Sequence, residues 1–137
     1  MAVPRRFGET TLLGGITVGI HIDSVVANFD DTAPTAITPT GATYLIPVNA
    51  VSLTFSGPVD PTFKPDEPAV VECRMLLGVT EPTVNPCSID TKRKRWTSGA
   101  MSLSTAPRNV NVRVVAHLFA AGVLADTAII NFRYLSS

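Results

Sequence analysis

Hydrophobic and polar residues alternate along several segments of this chain, as they do in β-strands that bury one face. The clearest case is residues 51–56, where Val, Leu and Phe alternate with Ser, Thr and Ser. Residues 69–77 have the same period, with charged residues on the polar side. In residues 16–23, the positions that alternate with His21 are apolar. Each of these patterns predicts a strand.

Two longer patterns predict a hairpin near the C-terminus. Residues 109–120 are the longest strand candidate, with valine, alanine and leucine on one face. The other face, which includes Val115, His117 and Phe119, is too apolar to be fully solvated. An Ala-Gly turn follows, and residues 128–135 alternate again. We expect these two strands to pair at the centre of a sheet.

Turn-forming residues separate the strand patterns. Eleven prolines and nine glycines recur at intervals that suit short strands, and helix signals are nearly absent, so the fold class is all-β. From about residue 34 onward the patterns give about seven strands, counting a short extended piece around residues 36–38 between two turns. This is the number expected of an immunoglobulin-like β-sandwich. Residues 1–15 show no strand period and are predicted to form an extended N-terminal arm. Residues 16–137 have the size of a single β-sandwich domain.

The two cysteines, Cys73 and Cys87, are predicted to be free thiols. Cys73 alternates with Val71, Met75 and Leu77, which indicates a core position where a thiol serves as a small hydrophobe. The chain has only two cysteines and two histidines, without CxxC or HxxxH spacing, so it carries no zinc-site pattern.

Residues 37–60 contain three motifs in succession. Residues 37–42 read ITPTGA, residues 46–49 read IPVN and residues 51–60 read VSLTFSGPVD. This succession resembles the opening of bacterial and phage immunoglobulin-like domains of the Big type, as found in phage virion surface and decoration proteins. The resemblance implies a spacer, adhesion or virion-surface module. It does not extend to the first 33 residues, the tyrosine usual in the family's penultimate strand is missing, and such domains share no active site.

Eleven basic residues balance eleven acidic ones, so no global field draws the chain onto nucleic acid or an anionic membrane. The strongest local charge is the run Lys92, Arg93, Lys94 and Arg95, which Trp96 follows. This run fits a solvated loop, a contact with an acidic protein surface or a contact with nucleic acid. Nucleic acid is the least favoured, because phosphate binding usually recruits more than four charges.

Arg5, Arg6 and Phe7 in the arm form a second candidate contact. Planar guanidinium groups and an aromatic ring suit the anchoring of an arm on a neighbouring subunit. The alternative is a tail in solvent.

Candidate catalytic groups are few, and we predict that the chain is not an enzyme. His21 and His117 lie among valines and isoleucines, where a structural histidine is favoured over a catalytic one. No GxSxG elbow, phosphate loop or dinucleotide fingerprint occurs, so no cofactor is expected. The aspartates considered for calcium, without EF-hand spacing to support them, are Asp23, Asp30, Asp31 and Asp60.

The chain carries no apolar run near the roughly 18 residues of a membrane span. Met1 to Glu9 also lacks the apolar stretch of a secretory leader. We therefore expect assembly in the host cytoplasm without contact with a membrane. Hydrophobic residues make up 45% of the chain and charged residues 16%, so part of the apolar surface is expected to lie against neighbouring subunits.

These expectations favour a structural virion component, most specifically a phage capsid decoration or cement protein. It would sit as a small homo-oligomer over joints between major capsid subunits and contact them or other virion proteins. A tail, neck or baseplate position is the nearest alternative. An immunoglobulin-like ligand-binding module of a bacterial surface protein is a different class, although Trp96, Tyr44 and Tyr134 offer few aromatic side chains for sugars.

Overall fold

The computed structural model describes residues 9–11, 17–60, 69–77, 85–90, 92–120 and 122–136. Within these ranges the chain is all-β, and no helix is present that could cross a membrane. The strands are β1 (Glu9–Thr11), β2 (Thr17–Gly19), β3 (Ser24–Asn28), β4 (Thr35–Ala36), β5 (Thr43–Ile46), β6 (Ser52–Pro58), β7 (Ala69–Leu76), β8 (Asn85–Pro86), β9 (Ser88–Asp90), β10 (Arg95–Thr97), β11 (Met101–Ser102), β12 (Asn111–Ala120) and β13 (Val123–Tyr134).

The strands form two large sheets. In the six-stranded sheet the order is β4-β3-β6-β10-β9, and β11 also pairs with β6. In the five-stranded sheet the order is β5-β13-β12-β7-β8. Among the described pairs, β5 and β13 are parallel and the others are antiparallel. A separate two-stranded ribbon joins β1 to β2.

The inner faces of the two large sheets share one hydrophobic core. Phe55 and Trp96 project into it from the six-stranded sheet, and Leu118 and Phe132 project from the five-stranded sheet; all four are fully buried. Burial of a side chain of this size contributes about 2 kcal/mol relative to exposure. The domain is therefore a β-sandwich, and its large side chains lie between the layers.

The longest alternating patterns predicted strands correctly. β6, β7, β12 and β13 cover the segments expected from residues 51–56, 69–77, 109–120 and 128–135. β12 and β13 also lie in the interior of their sheet, as the sequence suggested. β13 begins at Val123, earlier than expected, because its pairing with β12 continues across an irregularity between Leu118 and Phe119.

The strand expected over residues 16–23 is shorter than the sequence suggested. β2 ends at Gly19, and Ile20 makes an isolated bridge to Val59. Residues 21–23 then run alongside β6 outside any strand, and the backbone N–H groups of His21 and Asp23 donate to the carbonyl groups of Pro58 and Ser56 at 3.0 Å. The His21 side chain is exposed, as expected. The short strands β3, β5, β9, β10 and β11 were not predicted.

The predicted arm, residues 1–15, lies mostly outside the described residues. Within it, Glu9–Thr11 form β1, which pairs antiparallel with β2. This ribbon meets the five-stranded sheet, where the Ile20 backbone N–H donates to Asp126 Oδ2 at 3.0 Å. Arg5, Arg6 and Phe7 lie outside the described residues.

Gly57 in β6 permits a close approach of two backbone segments. The carbonyl group of His21 lies against its Cα, and a Cβ at this position would lie only 1.9 Å from His21 O. The same oxygen accepts a hydrogen bond from Trp96 Nε1 at 2.9 Å. Because the indole N–H is buried, it would lack a hydrogen-bond acceptor without this bond, and an unsatisfied donor in the core is destabilising.

Both thiols are free, as predicted from the sequence. Cys73 is buried on the inner face of β7, and Cys87 is half-buried just after β8. Burial is the main cause that raises the pKa of the Cys73 thiol to about 12 and that of Cys87 to about 11. Both groups are therefore protonated at neutral pH and are weak nucleophiles.

We expect Gly57→Ala to lower the free energy of unfolding by about 3 kcal/mol, because the new methyl group must displace His21 and break its bond to Trp96. Gly99→Ala is the matched control, since a Cβ there meets nothing within 4 Å. Denaturant unfolding of both variants measures the difference. Equal stability of the two variants would contradict the role given to Gly57.

We expect iodoacetamide at pH 8 to label Cys87 about a hundredfold more slowly than an unstructured cysteine, because its pKa is raised from 9.0 to about 11. Cys73, which is fully buried, is expected to react more slowly still. Both thiols should react promptly after unfolding in guanidinium. Rapid labelling of the folded protein, or a mass that shows a disulfide, would contradict this description.

Candidate interaction surfaces

The basic run predicted from the sequence forms the turn between β9 and β10. Asp90 Oδ1 accepts hydrogen bonds from the backbone N–H groups of Lys92, at 3.1 Å, and Arg93, at 3.2 Å. Lys94 adopts a positive φ of 55°, which closes the turn. The conformation of the turn is therefore fixed by a carboxylate that belongs to the turn itself.

Carboxylates offset most of the charge of this run. Arg95 donates two hydrogen bonds to Asp23, at 2.7 and 3.2 Å, and these raise the pKa of Arg95. Lys94 Nζ lies 3.7 Å from Asp60 Oδ1, and Arg93 Nε lies 3.7 Å from Asp90 Oδ2. Three of the four cations thus have acidic neighbours. The basic run is a weaker contact for an acidic partner than its sequence suggests.

Trp96 does not belong to this surface. Its side chain is fully buried between the sheets. The prediction that it contacts a partner is therefore wrong, because alternation in β10 turns Arg95 and Thr97 outward and Trp96 into the core.

The aspartates considered for calcium are divided between two environments. Asp23 and Asp60 face the cations of the basic run, at Arg95 and Lys94. Asp30 and Asp31 are exposed after β3. In the described part of the chain, no group of three or more His, Cys, Asp or Glu side chains is placed to hold a metal ion.

The outer face of the six-stranded sheet is rich in hydroxyl groups. Its central strand, β6, turns Ser52, Thr54 and Ser56 outward. Asn28 on the neighbouring β3 donates hydrogen bonds to the Ser52 and Thr54 hydroxyls, at 3.0 and 3.1 Å. This face has the composition of a solvated surface.

The outer face of the five-stranded sheet is different. Its outward apolar side chains include Leu45 of β5 and, on β7, β12 and β13, Val70, Leu76, Val115, Phe119, Leu124 and Ile129. Val115 and Ile129 are cross-strand partners at its centre. Leu76 is 39% exposed and Ile129 38% exposed, although each lies in a strand that has a neighbouring strand on both sides. An apolar surface of this kind indicates a contact site.

Three arginines lie beside this apolar centre or toward one end of it. Arg74 is the cross-strand partner of Val115, Arg113 lies two residues before Val115, and Arg133 lies four residues after Ile129. We call the outward side chains of β7, β12 and β13, apolar and charged together, the arginine-flanked face. Glu72 is its acidic member and lies 3.7 Å from Arg74.

His117 lies on the same face. Its Nδ1 is 3.1 Å from Thr127 Oγ1, and its ring tilts against Phe119. Partial burial and the nearby Arg74 lower the pKa of His117, while Glu72 raises it to a lesser extent. The lowered pKa favours the neutral imidazole near pH 7, and the structural role of His117 stays a prediction.

One sequence signal pointed toward the arginine-flanked face. The second face of residues 109–120 was too apolar for full solvation, and Val115 and Phe119 lie on it. Arg74, Arg113 and Ile129 were not predicted as site residues. They come from three strands, and the strand register brings them together.

The chain was compared with protein-family models, with curated proteins and with solved structures, and none of the three comparisons gave a match.

We expect protonation of His117 to destabilise the fold. Its pKa in the folded protein is below 6.5, so the unfolded chain takes up the proton first as the pH falls. The stabilisation by neutral His117 is complete above pH 6.5 and is lost as the pH falls through the folded pKa. Denaturant unfolding between pH 7.5 and 5 should give a shallower decline for His117→Gln than for the unaltered protein.

His21→Gln is the matched control for this measurement, because the His21 side chain is exposed. A decline that is equally steep in the His117 variant and the unaltered protein would contradict the assignment.

Proposed function

We propose that the two sheets form an immunoglobulin-like sandwich. In that fold one sheet has the strand order A-B-E-D and the other contains C, F and G. The order β3-β6-β10-β9 fits the first sheet, and β7-β12-β13 fits the second. This correspondence assigns strand F to β12 and strand G to β13, the central hairpin of the five-stranded sheet.

We propose that the protein is a structural component of a virion, most specifically a phage capsid decoration or cement protein. The observation that carries this proposal is the arginine-flanked face. Its apolar centre, Val115 and Ile129, lies on the outer side of the two longest strands. An apolar surface with neighbouring arginines suits a permanent contact with a neighbouring subunit.

The resemblance of residues 37–60 to phage immunoglobulin-like domains is the reason for choosing a viral particle among other assemblies. In this role, the protein joins the particle in the host cytoplasm as a small homo-oligomer over joints between major capsid subunits. A tail, neck or baseplate position would use the same kind of contact.

The ligand-binding alternative has less support from the described surface. Trp96, Tyr44 and Tyr134, the residues that would stack on sugars, are all at most 8% exposed. They therefore cannot form an aromatic platform for a glycan without rearrangement of the core.

Particles purified from the host of the encoding genome test the proposal. We expect mass spectrometry to find this chain in a fixed ratio to the major capsid protein, and electron microscopy to place it on the outside of the shell. Purified particles without this chain would contradict a virion role, and density confined to the tail or neck would replace the capsid position.

A control variant separates specific incorporation from adhesion. Ile129→Asp places a charge at the centre of the arginine-flanked face, and Thr54→Asp places the same charge on the opposite outer face. We expect Ile129→Asp to abolish rebinding to particles from which the protein has been stripped, and Thr54→Asp to leave it unchanged. Circular dichroism verifies that both variants fold.

A further inference from the structure

We propose that the arginine-flanked face binds an acidic protein surface. Apolar side chains of the partner would contact Val115 and Ile129, and carboxylates of the partner would contact the neighbouring arginines. This inference rests on the proposed function and names the chemistry of the partner. It also moves the acidic contact from the basic turn, where the sequence placed it, to the outer face of the five-stranded sheet.

The charge available to a partner differs between the two surfaces. In the basic turn, three of four cations lie within 4 Å of a carboxylate. The arginine-flanked face carries three arginines and one carboxylate, that of Glu72, which lies near Arg74 alone, so three positive charges less one negative charge leave a net charge of +2.

Two arginines on this face, Arg113 and Arg133, are not paired with a carboxylate of the described chain. Arg133 donates from Nε and one terminal nitrogen to Asn111 Oδ1, a neutral acceptor, at 3.2 and 3.1 Å. Among the described residues, Arg113 has no ion pair or side-chain hydrogen bond. Both side chains are exposed. Since a guanidinium binds a carboxylate through two parallel hydrogen bonds, these positions select acidic side chains.

The apolar centre decides among the classes of partner. Val115 is 8% exposed and its cross-strand partner Ile129 38% exposed, so Ile129 supplies most of the accessible apolar surface at this centre. Nucleic acid would meet this centre with phosphates, which gain nothing from it. A second copy of the same face would bring arginines against arginines, and like charges across an interface are repelled. An acidic protein surface with its own apolar residues satisfies both parts of the face.

A binding experiment with a defined probe tests this inference. The probe is a soluble, fluorescently labelled peptide of alternating glutamate and leucine, compared with a lysine-leucine peptide of the same length, with polyglutamate and with a DNA duplex. Fluorescence anisotropy measures affinity, and backbone amide NMR shifts locate the site. We expect the glutamate-leucine peptide to bind most tightly and to shift the amides of β7, β12 and β13.

Two variants with the same change in charge sharpen the test. Arg113→Gln removes a cation from the arginine-flanked face, and Arg93→Gln removes one from the basic turn, where Arg93 is highly exposed. We expect Arg113→Gln to weaken the glutamate-leucine peptide about threefold to tenfold, and Arg93→Gln to change its affinity less than twofold.

Several results would overturn the inference. These are shifts centred on residues 90–95, a larger loss from Arg93→Gln than from Arg113→Gln, or binding of polyglutamate or DNA as tight as that of the glutamate-leucine peptide. Dimers that sedimentation detects and that Ile129→Asp dissociates would instead assign the face to a second copy.

The peptide-binding experiment and the particle experiment can fail independently, so the acidic contact and the virion role are tested separately. Peptide binding at this face by a protein that is missing from purified particles would support the acidic contact and refute the virion role. Normal incorporation of Arg113→Gln into particles, together with no peptide binding, would refute the acidic contact and support the virion role.

Discussion

The register between β12 and β13 is the constraint on which the other features of this protein depend. Ten residue pairs join the two strands, and side chains in a strand alternate between its faces. A slip by one residue would place Arg113 in the core and Val114 in solvent. The same register puts Phe132 between the sheets and Ile129 outside them, so the core and the arginine-flanked face are two results of one pairing.

The two outer faces of the sandwich differ in composition. β6 carries hydroxyl groups on its outer face. Because Gly57 has no side chain, the His21 segment can lie close against β6. This contact connects the N-terminal part of the domain to Trp96 and the core. The opposite outer face carries apolar groups and arginines, and it is there that a partner would remove apolar surface from water. In the proposed role, the first face contributes to the stability of the domain, and the arginine-flanked face contacts the neighbouring subunit.

The sequence predicted the strands whose alternation is long, and it failed where length was short. β6 and β12 contain several alternations each, whereas β8, β9 and β11 have two or three residues and no measurable period. The candidate contact residues were likewise predicted only where they are contiguous in the sequence. A contiguous basic run was visible in the sequence, but the carboxylate that pairs with Arg95 is Asp23, far away in the chain. Arg74, Arg113 and Ile129 become neighbours only through strand pairing.

In the proposed role, the arginine-flanked face is covered in the assembled particle, and hydroxyl-radical footprinting measures this coverage. Side-chain oxidation would be measured by mass spectrometry in the isolated protein and on the particle. If the face is covered, Leu76 and Ile129 lose most of their reactivity on assembly, while Val51, which is 39% exposed beside β6 in the other sheet, keeps its own. Unchanged oxidation of Leu76 and Ile129 on the particle, with protection elsewhere, would contradict this coverage.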